Sequence, residues 1–239
     1  MQFRLRPTLL IATAALIVAT MAVTGLLLQH YIGQMIERLL SRQFDIVAGA
    51  AAVQVETLFD NAVNVLETHA ARAALGLLPL DEPDRLGREL AERLRREPQL
   101  AWISYGDLAR NRFVGATRLR DGAILVNIAA ADVDHGVPSE RIALPDGGWR
   151  PAGLPQRKPY AVIDQPWFKA GLAADGMLVS EPYAFAEGRT GVSLTLRHTD
   201  PAGRPQGVFT VDFFLEELSH HLARLTERDR NDAVLLGPA

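Results

Sequence analysis

Cysteine is missing from the 239-residue chain, which excludes structural disulfides, thiolate catalysis and cysteine-ligated zinc. Its absence suits a bacterial periplasm or a cytosol equally. Charge of one sign is scarce as well: 25 basic against 28 acidic residues leave a net charge of -3, so no nucleic-acid partner is expected. Phosphate-cradling G-x-G-x-x-G and Walker patterns are missing, and Ser180 and Ser193 lack the glycines of a nucleophile elbow. His220 and His221 are neighbours on a helical stretch, pointing about 100° apart, unlike a ligating i, i+4 pair. Asp132, Asp134 and His135 lack calcium-loop spacing. No enzyme, metal or cofactor is expected. Aromatic residues make up only 7% of the chain, so where they stand carries information.

One long apolar run is present. From Leu9 to Leu28 there is no charged side chain. At about 1.5 Å per residue this stretch crosses a hydrocarbon core of about 30 Å. A cleaved signal peptide would have an apolar core of only about 7–15 residues closed by small residues, whereas this run leads into Gln29, His30 and Tyr31. Arg4 and Arg6 precede it without nearby acids, while Arg38 and Arg42 beyond it are offset by Glu37 and Asp45. Residues 1–8 are therefore expected in the cytoplasm, 9–28 as a single span of the inner (cell) membrane, and the remainder in the periplasm.

After the span, apolar residues recur every three or four positions from Ile32 through Leu39, Val47 and Leu58 to Leu66, the period of one long helix with one apolar seam. Residues 29–72 form the expected stalk. Near the membrane the seam would bury against a second copy, making a homodimer; further out it would join the domain's own core. A second amphipathic stretch follows at Asp84–Pro98, with Leu86, Leu90 and Leu94 on one stripe. From Leu100 the period falls to two: "LAWISYGD", "NRFVGATRLR" and "GAILVNIAA" read as an antiparallel meander. Between Ala130 and Gln165 five prolines, with Pro166 directly after, mark a loop-rich region, with one further strand expected in "SERIALPDGGW". "MLVSEPYAFA", "TGVSLTLRHTD" and "QGVFTVDFF" supply more strands before a helical stretch, "LEELSHHLARL". The fold class is α+β: an antiparallel sheet flanked by helices over 73–225, with 226–239 opening a further, truncated unit.

"DQPWFKAGLAADG", Asp164 to Gly176, sets Trp167 and Phe168 side by side directly after Pro166. They are either core anchors at the end of the sheet or one wall of a ligand pocket. Asp212 interrupts the apolar strand "GVFTVDFF"; a buried carboxylate needs a partner, supplied by the fold itself or by a bound ammonium.

The succession "QPWFKAGLAADG", "VSEPY" and "VFTVDFFLEELS" resembles the extracytoplasmic double Cache sensor domains of bacterial membrane receptors. That resemblance implies a PAS-like unit holding a small solute, with Trp167, Phe168 and Tyr183 walling the pocket and Asp212 taking an ammonium; Tyr160, just before this stretch, is a further candidate ligand-binding residue. Gln165 stands where amino-acid-binding members carry an arginine that grips the carboxylate. A neutral amide contributes about 1 kcal/mol where a charge-assisted bond contributes about 1.5–3, so an amine or amino-acid-like solute lacking that grip is the expected ligand. The region "WISYGDLARNRFVGATRLRDG" is similar to the sensor half of adenylate/guanylate cyclase-type receptors, and the expected role is a sensor without its output module. The other reading is a non-sensing structural or protein-interaction module.

Overall fold

The computed structural model describes residues 52–153, 158–185 and 188–219, with Met21 and Gly49. The expected span, most of the stalk and the closing unit lie outside these residues. Among the described residues no helix is long and apolar enough to cross a membrane.

The described part of the first helix, α1, covers 52–74. Leu58, Ala62, Val65, Leu66 and His69 fall on one stripe and are buried. From Leu58 outward the seam thus belongs to the domain's own core, as its period implies. Helix α2, Pro83–Arg96, begins with proline in its first turn and ends with Arg93, Arg95 and Arg96, which complement the negative end of the helix dipole. Arg118 closes its C-terminus by donating from Nη2 to the Leu94 carbonyl at 2.5 Å and the Glu97 carbonyl at 3.4 Å. Leu86, Leu90 and Leu94 are fully buried. A Cβ at Gly87 would stand 2.7 Å from Val126, which shows how closely α2 lies on the sheet.

Among the described residues that sheet has nine strands, all antiparallel: β1 Trp102–Asp107, β2 Arg112–Arg118, β3 Ile124–Ala130, β4 Ser139–Ala143, β5 Trp149–Pro151, β6 Met177–Val179, β7 Tyr183–Ala184, β8 Thr190–Thr199 and β9 Pro205–Phe214. The spatial order is β5-β4-β3-β2-β1-β9-β8-β6, with β7 also pairing β8. The meander expected from Leu100 is β1 to β3. "SERIALPDGGW" holds two strands, β4 and the start of β5, because the Asp146–Gly148 turn lets the chain double back. "MLVSEPYAFA" likewise divides into β6 and β7. Trp149 lies under the guanidinium groups of Arg88 (5.7 Å) and Arg141 (4.7 Å). The long β8–β9 hairpin turns on Asp200, whose Oδ1 accepts from the amides of Ala202 and Arg204 at 2.9 Å, with Gly203 at φ +77°.

Because side chains alternate across a strand, the sheet has two unlike faces. Ile103, Tyr105, Val114, Val126, Leu194 and Phe209 point to the side of α1 and α2 and form the main core. The opposite side carries helix α3, Pro166–Ala173, at one end, where Phe168 packs with Phe113, Ala129, Val162 and Val208. Cβ atoms at Gly106 and Gly171 would meet Phe168 at 2.7 Å and Val208 at 2.7 Å, so α3 sits directly on the sheet there. Among the described residues no helix covers the rest of this face.

Candidate functional site

The uncovered part of that face is the floor of a cleft of about 820 Å³, a volume suited to a small organic ligand. The alternating positions of neighbouring strands build the floor: Trp102 and Ser104 from β1, Phe113 and Thr117 from β2, Leu125 and Asn127 from β3. Glu140 of β4 lies at one end, and Asn127 donates to its Oε1 at 3.1 Å. The segment 158–167 forms one wall, bringing Lys158, Tyr160, Gln165 and Trp167 over the floor. At the other end stand Tyr183, Phe185, Arg189 and Phe214, contributed by β7, the β7–β8 turn and β9.

The aromatic wall is mutually braced. Trp167 donates its indole N–H to the Tyr160 hydroxyl at 3.2 Å. Phe113 lies under both, with ring centroids 5.2 Å from Tyr160 and 6.2 Å from Trp167. Burial pushes the Tyr160 phenol up to about 12, with the Asp212 charge adding to the rise and the Trp167 hydrogen bond opposing it, so Tyr160 is neutral and can donate or accept. At the far end the Tyr183 hydroxyl shares a 2.8 Å hydrogen bond with Ser193 Oγ. Tyr183, Phe185 and Phe214 form an edge-to-face series with centroid distances of 4.7 and 5.6 Å.

Of the residues singled out from the sequence, Gln165, Tyr160, Trp167 and Tyr183 all line the cleft. Phe168 does not. It is 1% exposed within the core beneath α3, so the adjacent aromatics divide the two readings between them: Trp167 is a wall and Phe168 an anchor. A helix turns successive side chains by about 100°, which sends one toward the cleft and the next into the sheet. Asp212 is 7% exposed and stands opposite Trp102 and Ser193 in the register, on the cleft side of the sheet but outside the cleft wall. Gln165 spends its amide N–H on the Ala161 carbonyl at 3.0 Å. Asp164 is exposed and lies 3.8 Å from Lys169, away from the cleft. Among the described residues, no three histidine or acidic side chains gather as metal ligands would.

Sequence reasoning missed Trp102, Phe113, Asn127, Glu140 and Arg189. The period-two pattern that identified the strands held the signal: Ser104, Thr117 and Asn127 are polar residues spaced to share one face, and that face had to meet water or a ligand.

No family model matches the chain, and no curated protein matches it. Solved structures do. The extracellular domain of the histidine kinase soHK1S-Z6 aligns with a TM-score of 0.52 at 16% identity, covering 72% of this chain and 59% of that one. A structure named methyl-accepting chemotaxis protein X aligns at 0.50 and 15% identity, covering 78% and 66%. The ligand-binding domain of the Pseudomonas aeruginosa PAO1 amino acid chemoreceptor PctC, in complex with GABA, gives 0.48 at 21% identity, covering 74% and 64%. The chain thus spans less than two thirds of each of these domains. The first two are named for a histidine kinase and a chemotaxis protein, and they lend no support to the cyclase resemblance. The chain has the fold of the Cache-type extracytoplasmic ligand-binding domains of chemoreceptors and histidine kinases.

Proposed function

We propose that the protein is an extracytoplasmic sensor domain that binds a small solute in the cleft between the uncovered sheet face and the 158–167 segment. The observation that carries this reading is the cleft itself: an apolar aromatic wall with a few placed polar groups, on the face of the sheet opposite the long helix. A binding site of that composition holds a solute by shape and orients it by hydrogen bonds; its described lining residues include no paired acid, base and nucleophile, and we read it as non-catalytic. Residues 9–28 anchor the domain in the membrane, and two copies associate through the stalk. A solute on one face of the sheet would shift its packing against α1 on the other.

Thermal unfolding of the full 239-residue chain, screened with amino acids, amines and small carboxylates, tests the reading. At least one solute is expected to raise the midpoint, and Trp167→Ala, which removes the wall without touching the helix-side core, is expected to abolish the shift. A cooperatively folded chain that responds to no solute would favour the structural-module reading instead.

A further inference from the structure

Leu58, Ala62, Val65 and Leu66 hold α1 on the sheet, and the next buried position of the stripe is a residue that can change charge. His69 is the last buried residue of the described helix, with its ring centre 6.1 Å from that of Phe209 on β9. Its Nδ1 donates to the Val65 carbonyl at 2.7 Å, which fixes the neutral tautomer and leaves Nε2 to take an added proton. That bond ties the ring to its own helix. What holds it against the sheet is packing on Phe209.

The charges around His69 disfavour another cation. Arg72 faces it from α1, and Glu89 and Arg93 face it from α2. Glu89 is paired with Arg72 at 2.7 Å, and Arg93 with Glu97 at 2.9 Å. Burial is the largest influence, and two guanidinium groups stand against one carboxylate, so the imidazole is held below its ordinary value of 6.5. His198 on β8 also touches Phe209, at 5.7 Å between ring centres, but its setting differs. The Tyr105 hydroxyl reaches its Nδ1 at 3.2 Å across Gly207, where a Cβ would stand 2.5 Å from that hydroxyl. Asp107 and Asp200 favour its charged form against the burial that lowers it, and Arg110 and Arg112 face Asp107 at 3.0 and 3.5 Å. A charge at His198 stands among strands joined by ladder hydrogen bonds, whereas a charge at His69 stands between a helix and a sheet that meet through side chains.

We propose that His69 is a proton-operated fastener: in mildly acidic surroundings it takes up charge by lifting the outer turns of α1, residues 66–74, off α2 and the sheet while the sheet stays folded. The device lies on the face opposite the cleft and is independent of what the cleft holds. On the extracytoplasmic placement proposed above, it registers acidity outside the cell. In the lifted state the imidazole regains its ordinary 6.5, so one pH unit below that value protonation favours lifting by up to about tenfold.

The test is native-state hydrogen exchange of the full 239-residue chain at pH 7.5 and 5.5, in low urea and corrected for the intrinsic pH dependence of exchange. Amides of 66–74 are expected to open more readily than those of β9, with little urea dependence, and to lose up to about tenfold in protection at pH 5.5. His69→Gln, which can still donate to the Val65 carbonyl but takes no proton, is expected to abolish that loss, and His69→Phe serves if the glutamine variant fails to fold. His198→Gln is expected to leave it in place. Protection and urea dependence equal to those of β9 would make the event global unfolding and overturn the proposal. So would an unchanged protection at pH 5.5, or a loss that persists in the His69 variants.

Discussion

Successive residues of one strand live in different surroundings here. On β9, Phe209, Val211 and Phe213 enter the core under α1 and α2, while Thr210, Asp212 and Phe214 belong to the cleft side. On β8, Val192 and Leu194 alternate with Ser193 and Thr195 in the same way. The helix-side face is closed and mainly apolar; the other face is mixed, bonded laterally by pairs such as Ser104–Thr210 at 2.6 Å, and, among the described residues, open except under α3. On the proposed sensor reading, stability and recognition fall on opposite sides of one sheet, so each can be altered with little effect on the other.

Adjacent substitutions on β9 test that division most severely. Phe209→Ala should cost about 3–5 kcal/mol of unfolding free energy in urea titration, since it empties a fully buried aromatic site. Thr210→Ala, one residue away, should cost only about 1 kcal/mol, the loss of one hydrogen bond. Equal costs would mean the faces are not distinct.

Gly106→Ala probes the place where the division fails, because α3 closes the cleft side there. A methyl group 2.7 Å from Phe168 and 2.8 Å from Val162 should destabilise by about 1–3 kcal/mol in the same titration. A neutral result would show that α3 yields and is not part of the fixed frame.

Two histidines mark a third difference. His69, donating from Nδ1 to the Val65 carbonyl at 2.7 Å, and His198, hydrogen-bonded to the Tyr105 hydroxyl, flank Phe209 on the helix side. Burial is the largest influence on each and lowers both from 6.5. The native state therefore binds fewer protons than the unfolded chain in the window below 6.5. Stability is full above that value and falls as pH drops through it toward the lowered native values. Thermal midpoints measured from pH 8 to pH 5 should decline, and His69→Phe should flatten the decline; a midpoint that rises toward pH 5 would contradict the burial assignment.

The smallest effect is expected at Trp167→Phe, which removes the hydrogen bond to Tyr160 but keeps an aromatic wall. Stability should change by no more than about 1 kcal/mol, while calorimetric affinity for any cleft ligand should fall. A large stability loss would make Trp167 a structural residue like Phe168.

Much of this division was legible in the residues. The stripe Leu86, Leu90 and Leu94 identified α2, and the spacing from Leu58 to Leu66 placed the outer seam of α1 in the core. Trp167 and Tyr183 were expected at a pocket wall only through the resemblance, and they and Tyr160 do line the cleft, whereas Phe168, expected beside them, is buried in the core. What stayed hidden depends on pairing. Which strand neighbours β1 is set by long-range register, and only the contact of β1 with β9 brings Trp102 and Ser104 beside Thr210 and Asp212. Arg189 carries no local mark either: its meaning comes from Phe214 and Glu217, more than twenty residues away in the chain.

Trp102 and Trp167 line the cleft, and the third tryptophan, Trp149, is held on β5 against two arginines. Indole emission responds to local polarity and quenching, so a solute entering the cleft would perturb two emitters and leave the third as an internal standard. The protein thus carries its own optical reporter of occupancy, and ligands can be ranked on the unmodified chain without a label.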